Sequence, residues 1–232
     1  MSGLFLPSMI EVEFGEYYRS CAELLFKNGF KSFHIDFGDK KLIGRELECW
    51  DKVLFLQSLG TDVKLTAHIM SMSGRHPLSV ENIASRCIDE GFEIIYIHSR
   101  SFENFDKLIK FKENLFKESH HIFGIVSELQ SEKNQNLLDF AKSISLINLL
   151  QMGVPIGRGG QKFSWDAIDR IQDFIFNCSM LRNIELDGGL TLNIVKELNK
   201  VSINRFAGWS IISDKNPKNI LSNALEVEKI II

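Results

Sequence analysis

The sequence of 232 residues predicts an α/β fold, a single (β/α)8 TIM barrel that forms one domain over residues 1–232. Short apolar runs alternate with longer amphipathic stretches, so that eight strand–helix units follow one another. This alternation implies parallel strands, because each return to the sheet needs a helical crossover. Barrels of this type ordinarily form one domain of about this length. A doubly wound open sheet is the competing fold, but it usually has fewer strands.

The predicted strands are short runs rich in β-branched and aromatic residues. In chain order they cover Leu4–Met9, Lys31–Phe37, Val63–Met70, Phe92–His98, Ile122–Ser127, Leu146–Met152, Asn183–Asp187 and Arg205–Ile211. The predicted helices are amphipathic, and the first of them stops at Gly29, since glycine commonly ends a helix. They cover Phe14–Asn28, Arg45–Leu59, Val80–Glu90, Phe105–Phe116, Leu137–Ser143, Ser164–Cys178, Leu192–Leu198 and Pro217–Glu228.

Composition argues against several classes of protein. A formal net charge of −3 without a basic stripe argues against a nucleic-acid partner, whose phosphates require lysine and arginine. No apolar run approaches the ~20 residues that span a bilayer, and Met1–Ile10 lacks the basic segment of a signal peptide. The four cysteines form no CxxC pair and are expected to be reduced and buried. These features predict a cytoplasmic protein with no membrane partner.

Histidine and aspartate residues lie where the predicted strands end, which is the rim that carries the active site in such barrels. His34 and Asp36 are two residues apart on one strand, so their side chains point to the same face. His68 lies near the end of the next strand, and Asp187 ends a strand across the barrel. Any one of them is most simply a hydrogen-bonded core or surface group. Together, two imidazoles and two carboxylates predict a site for one divalent metal ion.

Glycine clusters follow the last three predicted strands, at Gly157–Gly160, Gly188–Gly189 and Gly208. Glycine lets backbone N–H groups approach a ligand closely and form concave sites for anions. Barrels often bind phosphate at this corner. One glycine pair would be weak evidence, but three clusters at successive strand ends predict a phosphate site.

Six segments resemble motifs of the ribulose-phosphate 3-epimerase family, and they occur in the family's order. The segment at 34–39, His-Ile-Asp-Phe-Gly-Asp, is similar to H-x-D-x-M-D, and 186–190, Leu-Asp-Gly-Gly-Leu, is similar to V-D-G-G-I. The other four are 7–10 (Pro-Ser-Met-Ile), 65–70 (Leu-Thr-Ala-His-Ile-Met), 157–163 (Gly-Arg-Gly-Gly-Gln-Lys-Phe) and 207–210 (Ala-Gly-Trp-Ser). The matches cover nearly the whole chain.

The resemblance implies an isomerase that inverts C3 of a ketose phosphate through an enediolate, by default D-ribulose 5-phosphate to D-xylulose 5-phosphate in the pentose phosphate pathway. It implies that Asp36 and Asp187 act as acid and base from opposite faces of the substrate. The metal, which can be zinc, iron(II) or manganese, would be bound by His34, Asp36, His68 and Asp187. The metal would polarise the substrate at C2 and C3.

The resemblance also implies the residues that line the pocket and the partners of the chain. The substrate would contact Ser8, His68, Met70 and Met152. The phosphate would be bound by Gly157, Arg158, Gly159, Gly160, Gly188, Gly189, Gly208 and Trp209. The partners implied are a small sugar phosphate and, by the habit of the family, further copies of the same chain in a homo-oligomer.

Some positions depart from the family's pattern. Gly38 replaces a methionine, Arg158 replaces an aromatic residue, and Trp209 replaces a serine next to the phosphate. Ser127 and Glu128 stand where the family has an asparagine–proline pair. Two alternatives therefore stay open. One is an epimerase for a larger ketohexose 6-phosphate, for which Gly38 would open the space, and the other is a catalytically silent barrel that binds a sugar phosphate.

Overall fold

The computed structural model describes residues 4–117, 120–129, 134–143, 148–157, 160–179, 181, 183–200, 203 and 205–231. Eight parallel strands alternate with helices and form a nearly closed barrel, which confirms the predicted fold. The strands are β1 Leu4–Pro7, β2 Ser32–Gly38, β3 Lys64–Met70, β4 Ile94–His98, β5 Ile122–Ser127, β6 Asn148–Met152, β7 Asn183–Asp187 and β8 Arg205–Gly208.

Helices follow the strands in the described part of the chain. They are α1 Glu16–Lys27, α2 Lys40–Ile43, α3 Trp50–Leu59, α4 Val80–Asp89, α5 Phe105–Phe116, α6 Asn134–Ser143, α7 Asp166–Asn177, α8 Leu192–Asn199 and α9 Pro217–Ile231, with a 3-10 turn at Ser99–Ser101. Among the residues described, none of these helices is both long and apolar enough to cross a membrane.

The strand order is β1-β8-β7-β6-β5-β4-β3-β2, and an isolated parallel bridge between Ser8 and His34 links the two edge strands. Because all strands run the same way, their carboxyl ends meet at one rim. The register places Asp36 of β2 beside His68 of β3, and Met152 of β6 beside Asp187 of β7. Residues far apart in the chain thus reach the same end of the barrel.

Two apolar clusters hold the barrel together. The larger packs the helices against the outer face of the strands and includes the fully buried Phe33, Leu56 and Phe206. The smaller cluster consists of Ile94, Tyr96, Val126, Leu150, Met152 and Val154. Tyr96 fits because residue 124 is glycine, where a Cβ would lie 2.3 Å from Cδ1 of the tyrosine ring. Burial of this kind contributes about 25 cal/mol per Å² of apolar surface.

The second predicted helix, Arg45–Leu59, is wrong at its start, because α3 begins only at Trp50. The backbone of Leu47 instead forms an isolated antiparallel bridge with Gly38, with N–H···O distances of 2.9 and 3.1 Å. The unpredicted helix α2 precedes this bridge. Asp39 caps it by accepting from the N–H of Leu42 at 2.7 Å.

The last predicted strand, Arg205–Ile211, is also too long, since β8 ends at Gly208. The carbonyl of Trp209 accepts from the backbone N–H groups of Ile212 (3.0 Å) and Ser213 (2.9 Å). A strand cannot continue through this turn. The apolar pair Ile211 and Ile212 is buried in the core outside the sheet.

Candidate metal centre and active site

Four buried side chains converge inside the carboxyl rim of the barrel. His34 and Asp36 come from β2, His68 from β3 and Asp187 from β7, and each offers a nitrogen or oxygen atom within 4.8 Å of the others. His34 and Asp36 face the same way because they are two residues apart on a strand. Register with β3 brings His68 beside them. The four residues named from the sequence as metal ligands therefore lie together, and their role as ligands stays a prediction.

Glu185 determines which nitrogen of His34 faces the cluster. Nδ1 of His34 lies 3.0 Å from Oε1 of Glu185, a fully buried carboxylate that also contacts Tyr96 and Arg205. A carboxylate only accepts, so Nδ1 carries the hydrogen and Nε2 keeps its lone pair. Nε2 is buried without a hydrogen-bond partner, 3.5 Å from Asp36 and 4.0 Å from Asp187. An unpartnered lone pair beside two carboxylates fits a bound cation.

His68 faces the same two carboxylates, Asp36 and Asp187, with Nδ1, whereas His34 faces them with Nε2. Its Nδ1 lies 3.0 Å from Oδ1 of Asp36 and 3.5 Å from Oδ2 of Asp187. The second oxygen of Asp36 accepts a hydrogen bond of 2.9 Å from the hydroxyl of Ser8. The turn after β1 that carries Ser8 is supported by buried Lys52, whose Nζ donates to the carbonyl of Met9 at 3.0 Å.

The electrostatics of the cluster favour added positive charge. Burial lowers the pKa of His34, but Asp36, Glu185 and Asp187 outweigh it and hold that pKa well above its ordinary value. The pKa of His68 is raised for the same kind of reason. Burial raises the pKa of Asp36, yet His34 and His68 outweigh it and hold that pKa far below its ordinary value. A proton or a metal cation satisfies this arrangement.

A cleft opens above the cluster. Asp36, His68 and Asp187 lie at its base, whereas His34 is 1% exposed and lies beneath. The cleft is lined by most of the substrate and phosphate residues named from the sequence, namely Ser8, Met70, Met152, Gly157, Gly160, Gly188, Gly189, Gly208 and Trp209. Arg158 and Gly159 were named with them and lie outside the described residues.

Glycine is required sterically at the corner predicted to hold phosphate. Gly188 and Gly189 have φ angles of 90° and 71°, a backbone conformation that other residues rarely adopt. A Cβ on Gly189 would lie 2.7 Å from the backbone nitrogen of Phe163, and one on Gly188 would lie 2.5 Å from a methyl of Val154. The loops after β6 and β7 are therefore in close contact at this end of the cleft.

Sequence reasoning missed one wall of the cleft, formed by Ile10, Glu11, Ile43 and Arg45. Arg45 and Glu11 form an ion pair of 3.3 Å there. A Cβ on Gly38 would lie 2.3 Å from Cδ1 of Ile43. The expectation that Gly38 opens extra space is therefore wrong, because the side chain of Ile43 fills it. The absence of a side chain at residue 38 could not by itself reveal what fills the space.

Two further buried groups were missed behind His68. Nε2 of His68 lies 2.7 Å from Nε2 of His98, and Nδ1 of His98 lies 2.6 Å from Oε1 of Glu128. His98 ends β4 and Glu128 follows β5. Burial is the main reason why the pKa of His98 falls to about 4. Their positions at strand ends were visible in the sequence, but their partners were not.

Comparison with known proteins agrees with this architecture. A model of the ribulose-phosphate 3 epimerase family matches residues 5–212 of the chain. No curated protein sequence matches it. The barrel is similar to 3-hexulose-6-phosphate synthase from Salmonella typhimurium, with a TM-score of 0.65 and 13% identity over 100% of this chain and 98% of that chain. It is also similar to KGPDC from Streptococcus mutans in complex with a sugar phosphate, with a TM-score of 0.62 and 14% identity over 97% of each chain. At such low identity these likenesses show a shared fold.

Proposed function

The chain belongs to the ribulose-phosphate 3-epimerase family, and we propose that it is a metal-dependent isomerase that inverts C3 of a ketose phosphate. The default substrate pair is D-ribulose 5-phosphate and D-xylulose 5-phosphate. The observation that supports this most strongly is the pair of carboxylates, Asp36 and Asp187, which face His68 Nδ1 at 3.0 and 3.5 Å from strands β2 and β7. Inversion at carbon requires a base on one face and an acid on the other, and two carboxylates can supply both.

The two carboxylates have different surroundings, which suits two roles. Asp36 is 4% exposed in its side chain and is held ionised by His34 and His68. Asp187 is 12% exposed in its side chain and borders the open cleft. One aspartate would remove the C3 proton from one face of the substrate, and the other, in its protonated form, would deliver a proton to the opposite face of the enediolate. The hydroxyl of Ser8 donates a hydrogen bond to Asp36 in this structure. Ser8 also lines the cleft, so its hydroxyl can donate to a substrate oxygen when substrate is bound.

The donor set of His34, Asp36, His68 and Asp187 fits one divalent ion such as zinc, iron(II) or manganese. Such an ion would stabilise the negative charge that develops on the substrate oxygens when the C3 proton leaves. The protein's own part is to hold the four donors rigidly. The buried Glu185 behind His34 does this by fixing the ring's orientation and tautomer.

The phosphate is proposed to lie at the corner formed by Gly188, Gly189 and Gly208, with Trp209 beside it. Backbone N–H groups at positions without side chains form concave anion sites. Support also comes from KGPDC of Streptococcus mutans, which has the same fold and was crystallised with a sugar phosphate. Assembly into a homo-oligomer stays a prediction.

Ile43 favours the pentose substrate over a ketohexose phosphate, because its side chain fills the space beside Gly38. A silent barrel is less well supported. It would gain nothing from burying two carboxylates and two histidines at one point, since burying such groups away from water is costly.

The test is solvent exchange in deuterated water. Metal-loaded protein is incubated with ketopentose and ketohexose phosphates, and NMR follows deuterium at C3 together with the appearance of the epimer. We expect both with the ketopentose phosphate. A properly loaded protein that exchanges no C3 proton in any of these sugars is the result that overturns the proposal.

A further inference from the structure

A series of hydrogen-bonded side chains leads from His68 to the surface. Nε2 of His68 meets Nε2 of His98 at 2.7 Å, and Nδ1 of His98 meets Glu128 at 2.6 Å. The other oxygen of Glu128 accepts from Arg100 at 2.7 Å. Both histidines are fully buried and Glu128 is 5% exposed, whereas the side chain of Arg100 is 54% exposed. The series therefore joins the base of the cleft to the outside of the barrel.

The two rings meet edge to edge. Their centroids are 5.0 Å apart and their planes differ by 18°. The centroid separation is nearly equal to the 2.7 Å between the two Nε2 atoms plus the distance from each Nε2 to the centre of its own ring. The two centroids and the two nitrogens therefore lie almost on one line. This is the arrangement of an in-plane N–H···N hydrogen bond, in which one ring donates and the other accepts.

The acceptor at the end of the series determines where the hydrogens lie. Glu128, paired with Arg100, can only accept, so Nδ1 of His98 carries a hydrogen. In the neutral ring, Nε2 of His98 then has a lone pair and accepts from Nε2–H of His68. Nδ1 of His68 is consequently left with its lone pair, which faces Asp36 and Asp187.

We propose that His98 and Glu128 are positioning residues that fix His68 in the tautomer and orientation in which Nδ1 binds a divalent cation. The inference rests on the metal centre of the proposed function and adds residues that the ligand set does not include. Glu185 does the same for His34 in a single step. For His68 the carboxylate of Glu128 acts through the ring of His98. Glu128 fixes the tautomer of His98, and His98 in turn fixes the tautomer of His68.

The test measures metal affinity of the metal-free protein, so it does not depend on catalysis. Wild type, His98→Leu, His98→Gln and Glu128→Gln are titrated with Zn²⁺ against a chelating dye, and with Co²⁺ by visible absorption, which reports ligand geometry. Loss of such outer partners typically weakens metal binding by about 10–100-fold. We expect a loss in this range for His98→Leu and a smaller loss for Glu128→Gln. Most of the affinity should return in His98→Gln, whose amide oxygen can accept from Nε2–H of His68.

His121 supplies a matched control. It precedes β5, on the opposite rim of the barrel, and its ring bonds to the carbonyl of Phe92. His121→Leu removes the same kind of side chain and should leave Zn²⁺ affinity and the Co²⁺ spectrum unchanged. Thermal unfolding of each metal-free variant separates lost stability from lost metal affinity. A merely structural role of His98 predicts no recovery of metal affinity in His98→Gln.

The outcomes separate this inference from the proposed function. Wild-type affinities and spectra in both His98→Leu and Glu128→Gln overturn the inference and leave the epimerase intact. Weakened binding in these variants, in a protein that exchanges no C3 proton, supports the inference while the proposed reaction fails. A wild type that binds neither Zn²⁺ nor Co²⁺ overturns both. Where His98→Leu does not fold, Glu128→Gln decides alone, and an unchanged dissociation constant overturns the inference.

Discussion

The side chain of Ile43 occupies the space that a side chain on Gly38 would need, since a Cβ at residue 38 would lie 2.3 Å from Cδ1 of Ile43. The two residues belong to different elements, β2 and the short helix α2. Ile43 also lines the cleft above the buried cluster. On the proposed function, this packing would limit the size of the sugar that the cleft takes.

The size limit predicts a change of substrate preference. Ile43→Ala should raise kcat/KM for a ketohexose 6-phosphate relative to a ketopentose 5-phosphate, because it vacates volume in the wall of the cleft. Steady-state kinetics with both sugars measures the ratio. Leu42→Ala, in the same helix but outside the cleft lining, is the control. An unchanged ratio in Ile43→Ala would show that this wall does not select the sugar.

The same contact predicts a coupling between the two positions. Gly38→Ala should lower the free energy of unfolding by about 1–3 kcal/mol, as overpacking in a filled site does. In the Ile43→Ala background the same change should cost much less, because the clashing Cδ1 is gone. Urea unfolding of the four proteins gives the coupling energy. Additive costs would contradict the packing described.

The acid–base assignment predicts that Asp36→Asn and Asp187→Asn each lose epimerisation by at least about 10²–10⁴-fold, the usual contribution of such a group. One variant can keep exchange of the C3 proton of a single epimer, because the base on that face survives, and this exchange identifies which aspartate serves which epimer. NMR in deuterated water records both quantities. Asp62→Asn, whose side chain is 61% exposed beside Lys31, is the matched control. Turnover at the wild-type rate in either site variant excludes the two-carboxylate mechanism.

The shifted pKa values predict that the metal-free protein loses stability as pH rises. The pKa of His34 is raised in the folded state, so its contribution is fully present below about 6.5, the unfolded value, and is lost as pH rises through the folded value. His98 has the opposite sign, because its folded pKa is lowered to about 4, so its contribution is lost as pH falls from the unfolded value toward 4.

Metal-free stability should therefore fall on the alkaline side of about pH 6.5, with a slope of up to about 1.4 kcal/mol per pH unit for each histidine that holds an extra proton. Bound Zn²⁺ should abolish this alkaline loss, since the cation replaces the proton and stabilises the folded state. Urea unfolding at several pH values, with and without Zn²⁺, makes the comparison. Equal slopes in the two series would count against a cation site at His34.

The phosphate corner can be tested at Gly208, where an added Cβ would meet only Leu190 Cδ1, at 4.0 Å. Gly208→Ala should raise KM for the phosphorylated sugar with a modest loss of stability, because the methyl group enters the cleft. Gly29→Ala is the control, since Gly29 has a φ of 99° and lies outside the cleft lining. That variant should lose stability without a change in KM. If wild type handles the free sugar as well as its phosphate, the corner is wrongly assigned.

Local patterns in the sequence were enough to predict the strand–helix alternation and the convergence of His34, Asp36, His68 and Asp187 at one rim. Alternation of apolar runs with amphipathic stretches determines parallel strands, since each crossover must be helical, and eight such units in this length favour a closed barrel. The two-residue spacing of His34 and Asp36 determines that they share a face. Helix starts were less predictable, as at Trp50, because pairing of Leu47 with Gly38 takes up backbone groups that a helix would use.

Contacts between strands and loops were decided only by the tertiary structure. The sequence contains Gly38 and Ile43 five residues apart, but only the folded loop shows that one fills the space of the other. His98 and Glu128 are 30 residues apart, and the register of β4 with β5 brings them within 2.6 Å. Short-range periodicity in the sequence predicts which side chains are buried, because it shows which face of a helix or strand each side chain occupies. Partners across a barrel depend on register and on rotamers chosen by packing, which no local pattern specifies.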